Sequence, residues 1–255
     1  MFTKYYYLVR HGETVMNKNH ERQGELGRLS PDGVGEVEEL SKRLINMNID
    51  KMFISPFERT RETADIINNL LKLKENKILI APLLAERKNP TCIIGKKYDD
   101  PIAKSFIDTM DKSIHDPDLR LYDEENFQDL KNRAIETQKY LIKNGSKRNL
   151  CITHGIFLKM FLSTLLYGKN LSVKQYIEMA LYNPADNAGV TLVRYNPCKK
   201  FLRPIYVLID IIKGEEKDNS LDNNLEGESE IDRYSPWEIL AYNDYTRDGF
   251  KKLRI

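Results

Sequence analysis

The chain has little of what marks a secreted, membrane-spanning or nucleic-acid-binding protein. Its three cysteines, Cys92, Cys151 and Cys198, are odd in number, widely spaced and without a Cys-x-x-Cys pair. That excludes a disulfide framework and the common zinc spacings, and the three read as reduced thiols. Charge of one sign is missing too, since 40 Lys plus Arg against 38 Asp plus Glu leave only +2. Such a balance gives no broad electrostatic case for nucleic acid or a membrane surface. No apolar run approaches the ~18 residues a membrane helix requires. Met1 is closely followed by the strand-like run Lys4-Tyr5-Tyr6-Tyr7-Leu8-Val9, leaving no room for a secretory leader. A cytoplasmic location is therefore expected.

What is present is a globular composition. With 255 residues, 41% hydrophobic and 31% charged, the chain can bury a substantial core and suits one α/β domain with an appendage. Strand-like and helix-like segments alternate, the pattern of a mostly parallel sheet with helices on both faces, a three-layer sandwich. Strands are expected at Tyr5–Val9, Lys51–Ile54, Lys77–Ala81, Asn149–Thr153 and Gly189–Tyr195. Helices are expected from Pro31 behind the cap Ser30, over Phe57–Leu71, near Ala103–Met110, from Phe127 to the turn pair Asn144-Gly145, and over Ile156–Tyr167. Phe201–Ile212 is apolar enough for another strand or strand pair. Composition then shifts to acid, and the expected organisation is a catalytic domain over 1–212, an acidic flexible insertion over 213–235, and a C-terminal segment over 236–255 that packs back on the domain.

Polar residues collect where these strands end. Arg10-His11 follows the first strand, Ser55 to Arg61 the second, Glu86 comes shortly after the third, and Thr153-His154 closes the fourth. Ligands of open α/β sheets bind in the crevice at the carboxyl ends of the strands, so these segments converge on one anionic substrate. A neutral imidazole is a competent nucleophile toward phosphorus, and guanidiniums lower its pKa while neutralising equatorial phosphoryl oxygens. A carboxylic acid must then protonate the leaving oxygen. Glu86 is the candidate, with Glu13 and the acids Asp123 to Glu125 as competitors. This scheme requires no metal and no cofactor. His20 and His115 fit no pattern and read as surface residues, the three consecutive tyrosines read as strand packing, and Gly33-Val34-Gly35 lacks the context of a dinucleotide site.

Leu8-Val9-Arg10-His11-Gly12-Glu13-Thr14 with Asn17 resembles the signature of the histidine phosphatase superfamily, which includes the phosphoglycerate mutases. Further segments are similar in the family's order: Arg22-Gln23-Gly24 with Leu29-Ser30 and Gly33, Ser55-Pro56-Phe57-Glu58-Arg59-Thr60-Arg61-Glu62-Thr63-Ala64, Leu84-Ala85-Glu86-Arg87, and Ile152-Thr153-His154-Gly155. The resemblance spans roughly residues 3 to 195 and implies the phosphoglycerate mutase-like fold. It implies that His11 becomes phosphorylated while Arg10, Arg59 and His154 hold phosphoryl oxygens. Asn17 and Gly24 would line the same pocket, joined by Arg22, Gln23, Arg87 and Gly155 as substrate contacts, and Asn187 would support it. Arg22, Arg28, Arg87 and Lys88 are candidates for a basic rim. Thr60 stands where the family usually has Ala, and the acidic insertion has no identified counterpart.

The expected function is that of a histidine acid-type phosphatase, a metal-independent phosphomonoesterase acting on a small phosphorylated metabolite. No nucleic-acid or membrane partner is expected, and a homo-oligomer is compatible with the sequence but not derivable from it. A 2,3-bisphosphoglycerate-dependent phosphoglycerate mutase is the alternative, less favoured because Arg22-Gln23-Gly24 resembles the phosphatase branch. Further alternatives are a protein phosphatase or a catalytically weak interaction module.

Overall fold

The computed structural model describes residues 2–112, 116–199 and 235–244. Among the described residues six strands form one sheet: β1 (Lys4–Arg10), β2 (Lys51–Ile54), β3 (Ile78–Ile80), β4 (Arg148–Thr153), β5 (Val190–Tyr195) and β6 (Trp237–Asp244), in the order β3-β2-β4-β1-β5-β6. The pairs β1·β4, β2·β4 and β2·β3 are parallel, whereas β5 runs antiparallel to β1 and β6 antiparallel to β5. This is the mostly parallel three-layer α/β architecture read from the sequence.

Both sheet faces are covered, which is why β1 and β4 read as nearly continuous apolar runs. Tyr6 and Leu8 of β1 and Cys151 of β4 point into one core with residues of α5 (Phe127–Asn144) and α6 (Gly155–Tyr167). Tyr7, Val9, Leu150 and Ile152 point into the opposite core with α2 (Pro31–Leu44) and α3 (Glu58–Leu71). The short α1 (Val15–Lys18) follows β1 directly. A smaller apolar cluster of Ile93, Ala103 and Phe106 lies under α4 (Pro101–Lys112).

Ser30 caps α2 by accepting from Gly33 N at 3.0 Å, with Pro31 in the first turn, as its sequence indicates. Asn144-Gly145 ends α5, although not through a left-handed glycine: Gly145 has φ −74°. A side chain there would come within 2.7 Å of Leu141 O and Tyr6 Oη, so close packing selects the glycine. Two α-helices among the described residues were not anticipated, the short α1 and α7 (Val173–Tyr182), the latter capped reciprocally by Ser172 and Gln175. Among the described residues no helix is long and apolar enough to cross a membrane. The expected strand at Phe201–Ile212, the acidic stretch as far as 234, residues 245–255 and His115 lie outside the described residues.

Candidate active site

His11 sits one residue beyond β1, and its backbone is held from three sides. Its N–H donates to Thr153 O of β4 at 3.0 Å, while its carbonyl accepts from Asn187 Nδ2 at 3.0 Å and from Ala188 N. The next residue must be small, because a Cβ on Gly12 would lie 2.7 Å from Gly33 O and from Val37 Cγ2. Gly12 O accepts from His11 Nδ1 at 2.7 Å. A carbonyl can only accept, so the proton of the neutral imidazole is on Nδ1 and the lone pair is on Nε2.

That lone pair faces Arg59, whose Nε lies 3.2 Å from His11 Nε2 and 3.3 Å from His154 Nδ1. Arg59 Nη1 donates to Gly24 O at 2.8 Å. His154 Nδ1 therefore accepts, leaving Nε2–H to donate to Ser55 Oγ at 2.7 Å. His11, Arg59 and His154 are all buried. Burial, then the Arg59 and Arg10 guanidiniums, holds the His11 pKa well below the usual imidazole value, and burial with Arg59 does the same for His154. Burial draws Arg59 down to about 10, which leaves it charged at neutral pH.

Arg10 donates through Nη1 to Ala185 O at 2.7 Å, and its buried Nε has no hydrogen-bond partner among the described residues. Its guanidinium runs along Gly155, where a Cβ would come 3.3 Å from that Nε. Glu86 reaches the same place from the loop after β3. Its Oε1 accepts from Phe157 N and Arg87 N, both at 2.9 Å, and its Oε2 from Ile156 N at 3.2 Å. The amino end of α6 thus fixes the carboxyl group through amides that lack helical partners.

These groups surround a cavity of about 200 Å³. Of the residues singled out in the sequence, Arg10, His11, Asn17, Arg22, Gln23, Arg59, Glu86 and Gly155 line it. His154 and Gly24 stand behind the lining, joined to it by Arg59. Arg87 does not line it: its guanidinium lies over Phe106 and donates to Asn89, a lining residue. The four-residue basic rim does not form. Arg28 pairs with Glu58 and Lys88 with Asp123, drawn off by nearer carboxylates, and only Arg22 of the four reaches the cavity.

The other acids weighed in the sequence have partners elsewhere. Glu13 accepts from Ser30 Oγ, Asp123 from Thr91, Glu124 from the amides of Leu121 and Tyr122, and Glu125 binds Arg133. None lines the cavity. Six lining residues escaped sequence reasoning: Glu21, Asn89, Tyr98, Ile156, Lys159 and Ala185. Lys159 lies one helical turn beyond Gly155 and donates to Ala180 O, so the i,i+4 spacing on α6 was a usable signal. Tyr98 carries no local signal. It arrives because 95–98 pairs with 20–22 across the antiparallel bridge of Glu21 and Lys97, which lays the Arg22 guanidinium 4.4 Å over its ring. Among the described residues no group of three or more His, Cys, Asp or Glu is arranged to hold a metal ion.

Comparison with known proteins bears on the family and the fold. The chain is 30% identical over 170 residues to the probable phosphoglycerate mutase GpmB of Proteus mirabilis, covering 63% of this chain and 74% of that one. The α-ribazole phosphatase of Shigella flexneri superposes with a TM-score of 0.62 at 19% identity, over 76% of this chain and 91% of that one. Mycobacterial glucosyl-3-phosphoglycerate phosphatase does so with a TM-score of 0.62 at 17% identity, over 75% and 90%. At such identities the two structures speak for the fold alone. The family model of the histidine phosphatase superfamily, branch 1, matches residues 6–206, and the chain belongs to that superfamily.

Proposed function

We propose that the protein is a phosphomonoesterase that works through a phosphohistidine at His11 and takes a small phosphorylated metabolite. One observation carries this reading: the Gly12 carbonyl holds the Nδ1 proton of His11, leaving the Nε2 lone pair among Arg59 and the other groups of an anion-binding cavity. Nε2 attacks phosphorus, and the N–P bond forms as the ester P–O bond breaks. The leaving oxygen takes that electron pair and a proton from the Glu86 carboxyl group. The imidazole now carries positive charge, which Gly12 O stabilises through the Nδ1–H bond. Water then attacks phosphorus while the Glu86 carboxylate accepts its proton. The P–N electrons return to Nε2 and inorganic phosphate leaves. Arg10 and Arg59 supply the positive charge that the phosphoryl oxygens require, so no step passes through a metal.

The likeness to the Proteus relative favours a second reading, a phosphoglycerate mutase, in which His11 returns the phosphoryl group to a second oxygen of the same carbon skeleton. The two share every step up to the phosphoenzyme. Hydrolysis of an aryl phosphate in the presence of chelator, by wild type and by His11→Ala, is measured beside 2,3-bisphosphoglycerate-dependent mutase turnover. The expected result is chelator-resistant hydrolysis, lowered at least about a thousandfold in His11→Ala, without mutase turnover. Mutase turnover would establish the second reading, and hydrolysis that survives in His11→Ala would overturn both.

A further inference from the structure

Glu86 must be placed to a fraction of an ångström, yet the chain that carries it has no sheet or helix of its own beyond the turn Pro82–Leu84. Its backbone is held instead by side chains: Thr137 of α5 donates to Leu83 O at 3.3 Å and Thr153 of β4 to Leu84 O at 2.7 Å, but the side chain that reaches Glu86 itself is Arg133 of α5. Arg133 donates through Nη1 to Leu83 O at 2.9 Å and Ala85 O at 2.8 Å, and through Nη2 to Glu86 O at 3.4 Å. Its remaining two N–H groups go to the Glu125 carboxylate, Nε to Oε1 at 2.7 Å and Nη2 to Oε2 at 2.6 Å. All five guanidinium donors are thereby used. Glu125 continues the clamp along the same loop: its N–H donates to Lys88 O at 3.1 Å and its Oε2 accepts from Lys88 N at 3.4 Å. The guanidinium also lies 4.7 Å over the ring of Phe157, whose own amide holds Glu86 Oε1. Arg133 therefore touches the Glu86 backbone and, through Phe157, the residue that binds its carboxyl oxygen. Its side chain and that of Glu125 are only 17% and 14% exposed, so solvent does little to substitute for these bonds.

We propose that Arg133, with Glu125 as its counterion, is a positioning residue that sets where the Glu86 carboxyl group meets the leaving oxygen. The proposal rests on the reading of Glu86 as the proton donor. It also makes Arg133→Lys a severe change, because an ammonium has three donors for five acceptors and no planar fork.

A leaving alkoxide depends on a donated proton and a nitrophenolate hardly does, so the two report on the acid separately. Glu86→Gln, Arg133→Lys and Glu125→Gln are each assayed with 4-nitrophenyl phosphate and with glycerol 1-phosphate. The ratio of the two kcat/KM values within one preparation is independent of how much of the protein is folded. Glu125→Gln, which keeps the shape of the pair, carries the test if Arg133→Lys does not fold. The expected result is a nitrophenyl-to-glycerol ratio raised about a hundredfold in Glu86→Gln and about tenfold in the two clamp variants. Equal slowing on both esters in the clamp variants, with the ratio shifted in Glu86→Gln, would overturn the positioning role and leave Glu86 intact. An unshifted ratio in Glu86→Gln, or wild type inactive on both esters, would overturn the reading of Glu86 and this proposal with it.

Discussion

His11 and His154 are buried beside Arg59, and that makes them a pH-dependent liability for folding. In the unfolded chain each takes up a proton below about pH 6.5. In the folded protein burial and the neighbouring guanidiniums keep both neutral to well below that value. The unfolded state therefore binds more protons, and stability is full above pH 6.5 and falls as the pH drops toward the depressed values. Each histidine contributes at most about 1.4 kcal/mol per pH unit. Urea unfolding midpoints should fall between pH 7 and pH 5, and His154→Asn, though less stable throughout, should show a shallower fall. An unchanged slope in that variant would mean that His154 protonates normally in the folded state.

The first turn of α2 shows how closely elements approach to build the site. A Cβ on Gly33 would lie 2.0 Å from Glu13 O, whereas one on Gly35 would meet nothing within 4 Å. Two glycines two residues apart in one helix should thus respond oppositely to alanine. Gly33→Ala should destabilise by about 2 kcal/mol or more and displace the loop carrying His11, lowering kcat as well. Gly35→Ala, on the exposed face, should stabilise by about 0.5–1 kcal/mol with kcat unchanged. Urea unfolding and steady-state assays of the two variants test both statements together.

Across the whole molecule the sheet separates chemistry from anchoring. The site lies at the carboxyl ends of β1, β2 and β4, while Trp237, the only tryptophan, packs at the opposite end of β1. Its ring lies 5.3 Å from that of Tyr6, 5.1 Å from Tyr195 and 6.2 Å from Phe161, and it is buried. Tyr195 pairs with both Trp237 and Lys4, so β6 is tied to the end of β1 roughly 20 Å from His11. Trp237→Ala should therefore cost about 3 kcal/mol of stability. It should leave kcat per folded molecule within about twofold of wild type, because the loss stays within the far core. Thermal unfolding and active-site-normalised kinetics measure the two, and a large fall in kcat would show that β6 acts on the site.

The sequence by itself determined the frame: β1 and β4 are apolar on both faces, so helices must cover both sides, and polar groups that end such strands must meet at one edge. It also contained the capping pair Ser172 and Gln175 that announces α7, a local signal that can be read without any tertiary contact. Tertiary structure decided what depends on partners distant in sequence. Glu86 stands apart from Glu13 and Glu125 because the amides of α6, some 70 residues on, claim its carboxyl group, while Ser30 and Arg133 claim the others. Arg22 reaches the cavity and Arg28 does not, because one lies over Tyr98 and the other is captured by Glu58. Strand and helix patterns are local properties of the chain, whereas the protonation, orientation and company of a charged group are set by whatever the fold brings within a few ångströms of it.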